Sequence, residues 1–280
     1  MKIAVVLNFN NYKSTISCTT TLIASDVDKV VIVDNGSNND SYKYLKRALS
    51  ESENVDILYS SKNKGYASGN NFGLKYIETK YGLDNVIYIV NPDVKVNRHT
   101  VNQIAQKIYS KKNIGMVTTR VNNSMRSVWK HTGLLRGYIF NLFVFSRIVY
   151  KLLGLEERKF YKRKNDFQRV DVVSGAFFGI NQRVFKTIGY FDNKTFLYYE
   201  EEILYCKLKK IGVSNFIITS ENYIHAEQGS TNLSLQKIKR INDESRLYYL
   251  TQYDGAGLFY VKTYKFFNKL DGLIIKMLNK

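Results

Sequence analysis

Three clusters of polar residues follow short runs rich in Val and Ile: Asp34-Asn35-Gly36-Ser37, Asn63-Lys64-Gly65-Tyr66-Ala67-Ser68-Gly69-Asn70-Asn71, and Asn91-Pro92-Asp93. Farther along stand Glu200-Glu201-Glu202 and a lone His225. Carboxylate oxygens suit hard cations, and glycines let a backbone approach its neighbour closely. Taken singly, each cluster has a plainer reading. Asp-Asn-Gly-Ser makes a good turn, and carboxylates that open a helix complement its dipole. Placed at successive strand ends, they instead describe one edge of one sheet. The usual phosphate loops are missing. The turn after the first apolar run reads Asn8-Phe9-Asn10-Asn11-Tyr12, without the glycines of a dinucleotide fold, and no Gly-x4-Gly-Lys-Ser/Thr occurs. NAD enzymes and P-loop NTPases are thereby disfavoured.

Residues 3–9, 30–35, 55–60, 86–94 and 114–121 are nearly continuous in apolar character, as strands covered on both faces require. Between them, residues 12–25, 40–50, 68–81 and 98–111 have helical length. Val101, Ile104, Ala105 and Ile108 keep clean helical spacing. Such alternation predicts an α/β fold with a mostly parallel central sheet in a three-layer sandwich. Ligands then bind at the carboxyl ends of the strands, where the polar clusters stand. Beyond these, 170–179 reads as a strand, 196–210 as a helix and 215–219 as another strand. A helical tail follows from about 233, divided by Gly255 and Gly257.

The chain has 280 residues, 44% hydrophobic and 14% aromatic, which excludes wholesale disorder. Its 42 Lys+Arg against 24 Asp+Glu leave a net charge of +18 and point to an anionic partner. Two cysteines, Cys18 and Cys206, are too few for a disulfide framework and suit a reducing cytosol. No signal-peptide pattern is visible, and no run reaches the roughly 20 apolar residues of a transmembrane helix. The expectation is a cytoplasmic protein that lies on a membrane without crossing it.

In this order, the motifs resemble the family 2 glycosyltransferases of the GT-A fold, especially a rhamnosyltransferase-like bacterial branch. The resemblance rests on Phe9-Asn10, Val33 to Ser37, Asn63 to Asn71, Asn91-Pro92-Asp93 and Ser174-Gly175-Ala176. It continues through Gly189-Tyr190-Phe191-Asp192 and Phe196-Leu197-Tyr198-Tyr199-Glu200-Glu201, and covers roughly residues 3–230. It implies a GT-A domain over 1–230, a basic and apolar insert at about 122–168, and a helical extension over 231–280.

The resemblance also implies roles. Asp93 matches a metal-binding position for Mg2+ or Mn2+, with Asn91 a weaker or water-mediated partner and His225 a further candidate ligand. Asp34 and Asn35 match the nucleobase position, which suits a UDP- or dTDP-sugar donor. Phe9 and Asn10 flank that position, Lys64 reaches base or phosphate, and Gly65 permits close approach; Asn70 stands in the same motif. Glu201 matches the general base, and Glu200 is its competitor. The branch often carries a second Asp two residues after the base; here it is Ile203, which leaves the acceptor contacts open.

Residues 126–169 hold eleven Lys/Arg and three Asp/Glu, a net +8. An interfacial helix on an anionic membrane fits this composition, as does a helix buried against the domain or a homodimer partner. Enzymes of this branch act on polyprenyl-diphosphate-linked sugars in making capsule or O-antigen, so a lipid-linked or glycan acceptor is expected and nucleic acid is not. Two rival readings are a sugar-nucleotide nucleotidyltransferase and a non-catalytic basic module that binds nucleic acid or membrane. The first normally needs a glycine-rich, Arg-bearing loop after strand one. The second needs no grouping of Asp34, Asp93 and Glu201.

Overall fold

The computed structural model describes residues 1–141, 152, 157–226 and 234–278. Strands β1 (Lys2–Asn8), β2 (Lys29–Asn35), β3 (Val55–Ser60) and β4 (Val86–Val90) alternate with helices α1 (Tyr12–Ala24), α2 (Ser41–Leu49) and α3 (Tyr66–Tyr81). There follow β5 (Val94–Lys95), α4 (Arg98–Ser110), β6 (Ile114–Val121), β7 (Val128–Trp129), α5 (Leu134–Asn141), β8 (Phe167–Val170), β9 (Val172–Val173) and β10 (Phe177–Asn181). The chain continues through α6 (Gln182–Thr187), α7 (Glu200–Lys210), β11 (Ser214–His225), α8 (Leu235–Tyr253) and α9 (Leu258–Leu278).

Nine strands form one sheet in the order β3-β2-β1-β4-β10-β6-β11-β5, with β8 also pairing β11. The pairs β3/β2, β2/β1, β1/β4 and β6/β11 are parallel, while β10 runs antiparallel between β4 and β6. Alternate residues of the central strands feed opposite faces. Ala4, Val6, Val30, Ile32 and Tyr88 pack with Leu22, Leu45 and Ile104 of α1, α2 and α4. Ile3, Val5, Val31, Val33 and Ile87 pack with Leu74, Phe185 and Leu204 of α3, α6 and α7. This is the expected three-layer sandwich, and its strand pairing places a topological switch between β1 and β4. Crevices that bind ligands open at such points.

Three expectations are corrected. Residues 170–179 are not one strand: β8, β9 and β10 divide the segment, and β10 enters the sheet against the majority direction. The helix expected from 196 begins at Glu200, because Tyr198 and Tyr199 adopt φ of 75° and 68°. The strand expected to end at 219 runs on to His225 through a register shift between Ile218 and Asn222. Of the apolar stretch 134–153, α5 is helical, while 142–151 and 153 lie outside the described residues.

The tail forms two helices that pack on the domain. Ile203 of α7 shares a buried cluster with Tyr249, Leu250 and Tyr264, against which Leu134 and Tyr199 pack. No helix among the described residues is long and apolar enough to cross a membrane.

Candidate active site

Asp93 and His225 are 132 positions apart in the chain, and pairing of β5 with the end of β11 joins them. His225 is opposite Val94 in register, and the Ala226 amide donates to the Asp93 carbonyl at 3.2 Å. His225 Nε2 consequently stands 3.1 Å from Asp93 Oδ1, with the side chains 20% and 9% exposed. Two ligands at right angles on an ion with bonds of about 2.1 Å are themselves about 3 Å apart, so this oxygen–nitrogen pair fits one divalent ion. Among the described residues no group of three or more His, Cys, Asp or Glu could hold a metal ion. A site with two protein ligands leaves positions for phosphate oxygens and water, as Mg2+ commonly requires.

Asn91 directly follows β4 and precedes Pro92. Its amide donates to the Ala176 carbonyl at 2.8 Å, and its carbonyl receives the Val94 amide at 3.1 Å. One residue before Ala176, the Gly175 amide donates to Glu201 Oε1 at 3.2 Å. The short segment Ser174-Gly175-Ala176 therefore ties the strand end that carries Asn91 to the glutamate at the start of α7.

Glu200 is buried and Glu201 partly so. Burial, then the neighbouring Glu201 charge, pushes the Glu200 carboxyl up to about 8. Burial also raises Glu201, and the hydrogen bond from Gly175 opposes that rise. Tyr66 closes the group: its hydroxyl donates to the Gly175 carbonyl at 2.8 Å, and burial followed by the two glutamates holds it protonated. Carboxyls poised above their ordinary range are suited to accept a proton near neutral pH.

The nucleobase candidates form a different structure from a set of open ligands. Asp34 is fully buried. Its Oδ2 accepts from Asn8 Nδ2 at 2.7 Å and Ser37 Oγ at 2.8 Å, and its Oδ1 accepts from the Ser37 amide at 3.1 Å. Asn10, at φ 57°, donates its amide to Ser37 Oγ at 2.9 Å and accepts from the Asn38 amide at 3.0 Å. Asp34 and Asn10 thus lock the β1 and β2 turns to each other. Asn35 Nδ2 reaches Asn63 Oδ1 at 3.1 Å and the Gly65 carbonyl at 3.2 Å, which brings in the glycine-rich loop. Phe9 is partly buried beside these turns, and Lys64 is exposed in the β3–α3 loop.

The glycines of that loop serve internal packing. Gly65 has φ 94°, and a Cβ there would lie 2.3 Å from the Phe196 carbonyl oxygen, which also receives the Tyr66 amide at 2.9 Å. A Cβ on Gly69 would meet Leu7 Cδ1 at 2.5 Å. Asn70 is buried on α3, with Nδ2 donating to the Tyr66 carbonyl at 3.0 Å.

Sequence reasoning missed a second polar cluster. His131 Nδ1 stands 3.0 Å from Glu202 Oε2, and its Nε2 stands 3.1 Å from Asp254 Oδ1. Trp129 Nε1 also donates to Glu202 at 3.1 Å. Burial lowers the His131 pKa, but Glu202 and Asp254 outweigh it, and the net direction is upward. Its partners lie 71 and 123 residues away, so no local pattern announces the cluster. Arg246 and Ser245 of α8 brace the turn before Glu200. Arg246 Nε donates to the Tyr199 hydroxyl and Ser245 Oγ to the Leu197 carbonyl, both at 2.8 Å.

The family model for glycosyl transferase family 2 matches residues 3–189. The low-salt glycan biosynthesis hexosyltransferase Agl10 of Haloferax volcanii is 26% identical over 177 residues, which is 63% of this chain and 52% of that protein. The chain thus matches about half the length of this curated relative. Among solved structures, GalNAc-T7 with UDP, GalNAc and Mn2+ aligns with a TM-score of 0.63 at 13% identity, over 90% of this chain and 48% of that one. Mannosyltransferase PcManGT from Pyrobaculum calidifontis, in complex with GDP-Man and Mn2+, aligns with a TM-score of 0.56 at 12% identity, over 98% and 85%. TarS 1-349 of S. aureus aligns with a TM-score of 0.51 at 15% identity, over 90% and 72%. At these identities the likeness to solved structures speaks for the fold, which is GT-A. With two thirds of its length matched by the family model, the chain belongs to glycosyltransferase family 2.

Proposed function

We propose that the chain catalyses inverting transfer of a sugar from a UDP- or dTDP-linked donor to a glycan or polyprenyl-diphosphate-linked acceptor. The setting is bacterial surface polysaccharide synthesis, such as capsule or O-antigen, at the inner face of the membrane. The observation that carries this reading is the tie through Ser174-Gly175-Ala176, which couples the strand end of Asn91 to Glu201. Asp93 follows Asn91 by two residues, so the tie supports a metal pair and a base that share one sheet edge.

Asp93 and His225 would hold Mg2+ or Mn2+, with Asn91 assisting through water; a bound ion would supply positive charge against the departing diphosphate. Relatives of the same fold hold Mn2+ beside nucleotide or nucleotide sugar, which supports a divalent ion here. Glu201 takes the proton from the acceptor hydroxyl as its oxygen attacks the anomeric carbon. The bond from that carbon to the diphosphate oxygen breaks with its electron pair, and configuration inverts. Glu200, raised by burial and by the Glu201 charge, stays protonated beside it near neutral pH. The turns locked by Asp34 and Asn10, with Phe9, Asn35 and Lys64, form the wall for base and phosphate. Asn70 and Gly65 hold the loop that carries Lys64.

The test is a screen of UDP-, dTDP- and GDP-sugars for hydrolysis and transfer, with Mn2+, with Mg2+ and with chelator. Metal-dependent release of nucleoside diphosphate is expected. No turnover of any donor, together with no thermal shift on adding nucleoside diphosphate and metal, refutes the reading.

A further inference from the structure

The helix α9 leaves an unusual face in water. Its inner side is anchored: Tyr264 is buried, the Tyr260 hydroxyl donates to the Leu134 carbonyl at 2.9 Å, and the Tyr138 ring meets Tyr260 edge-on at 4.9 Å. Because that side is held, the outward side is set. Phe259 is 81% exposed, Phe266 60%, Leu273 49% and Leu270 40%. Helical spacing of 100° per residue puts these four within one arc of about 60°. Lys262, Lys265 and Lys269 are exposed along the adjoining arc. No acidic residue is among these outward positions.

Two phenylalanines and two leucines aligned in water incur a hydrophobic penalty that isolated surface residues do not share. Lysines beside such a stripe can lay their methylenes along it while the ammonium reaches outward. An apolar stripe with a basic border is the pattern of a helix that lies in a lipid interface. On its inner side α9 also receives α5, whose Tyr138 meets both Tyr260 and Phe267.

We propose that the outward face of α9 is the surface by which this protein docks on anionic lipid. Phe259, Phe266, Leu270 and Leu273 enter the acyl boundary, and Lys262, Lys265 and Lys269 meet the headgroups. This deepens the reading of a membrane-held acceptor and rests on it for its purpose; the binding itself needs no donor, metal or turnover. Because α9 packs on α8, and α8 braces Leu197 and Tyr199, the docked face lies one helix away from the turn before Glu200.

The experiment is flotation of the full chain with vesicles of phosphatidylcholine alone or mixed equally with phosphatidylglycerol, run without donor. Binding to the mixed vesicles at least about tenfold tighter than to the neutral ones is expected, weakening as salt rises. Replacing all three lysines by Gln should cut binding to mixed vesicles about tenfold or more. Phe259→Ser with Phe266→Ser should do the same without changing the charge. Circular dichroism and metal-dependent donor hydrolysis, measured on each variant, should stay at the parent level and so separate loss of docking from loss of fold. Absence of binding by the parent chain, equal binding to both vesicle types, or undiminished binding by both variants overturns the proposal. So does a dimer in light scattering that Phe266→Ser dissociates, since the face would then be covered by a second copy. Failure of donor hydrolysis in the parent chain bears on the catalytic reading alone.

Discussion

The Gly175 amide donates to Glu201 Oε1 at 3.2 Å, while the next residue, Ala176, receives the Asn91 amide at 2.8 Å. A single tripeptide thus fixes both the candidate base and the strand end of the candidate metal motif. Such coupling makes the two halves of the site separable by mutation, because each can be altered while the tripeptide stays in place.

Glu201→Gln should lower turnover by about a hundredfold or more, the usual size of a lost general base, while donor binding persists. Glu200→Gln should act differently. Burial holds both carboxyls above the ordinary range and the Glu201 charge raises Glu200 further, so the parent rate should climb with pH until the pair gives up its proton. Glu200 titrates at about 8 because of burial and the Glu201 charge, so Glu200→Gln should remove that step from the pH–rate profile and leave a single carboxyl. A pH–rate profile for each variant checks this; a profile unchanged in Glu200→Gln, with full activity in Glu201→Gln, refutes the assignment.

Asp93→Ala and His225→Ala should each raise the Mn2+ concentration needed for half-maximal donor hydrolysis, by about tenfold to a hundredfold. Asp93 should have the larger effect, since a carboxylate is the harder ligand. Metal titration of hydrolysis reads this directly, and an unchanged midpoint in both variants would remove the pair from the metal site.

Gly65→Ala should destabilise the fold by about 2 kcal/mol or more. A left-handed φ of 94° costs any L side chain about 1–3 kcal/mol, and the Cβ would collide with the Phe196 carbonyl at 2.3 Å. Thermal unfolding measures the loss. A melting temperature equal to the parent's would mean that the loop relaxes freely.

Stability should also respond to pH through His131. Its folded-state pKa is raised by Glu202 and Asp254, so its contribution is complete below the unfolded value of about 6.5 and vanishes as pH rises through the folded value. Denaturant unfolding at about pH 6 and about pH 9 should show a larger gap between parent and His131→Gln at the lower pH. Comparing the two proteins removes the parallel contribution from Glu200, which also titrates upward of its ordinary range. An equal gap at both values would refute a charged His131.

The fold class and most of the candidate edge were legible in the chain itself, for a local reason. Buried parallel strands demand continuous Val and Ile, and the polar residues that interrupt them must lie at strand ends. Strand β3 matches its expected bounds, and β1, β2 and β4 begin within one residue of theirs. The motif order carried the family. The single proline, Pro92, marked where β4 gives way to the metal motif, because it has no amide to offer the ladder.

Pairings between distant segments were decided only in three dimensions. The reversed strand β10 follows from how 170–181 must cross between β4 and β6, a question of which edges remain unpaired. His225 reaches Asp93 because a register shift lengthens β11 beyond its apolar run, and a pattern of side chains does not encode such a shift. Asp34 matches the nucleobase position in the sequence, and only the fold shows it as the buried hub of two turns, with Asn8 and Ser37 beside it. His131 has no distinguishing neighbours along the chain; the carboxylates of Glu202 and Asp254 outweigh its burial and give it its charge. Periodicity is local and survives in the sequence, whereas hydrogen-bond partners and desolvation depend on which surfaces meet, and only the folded chain brings those surfaces together.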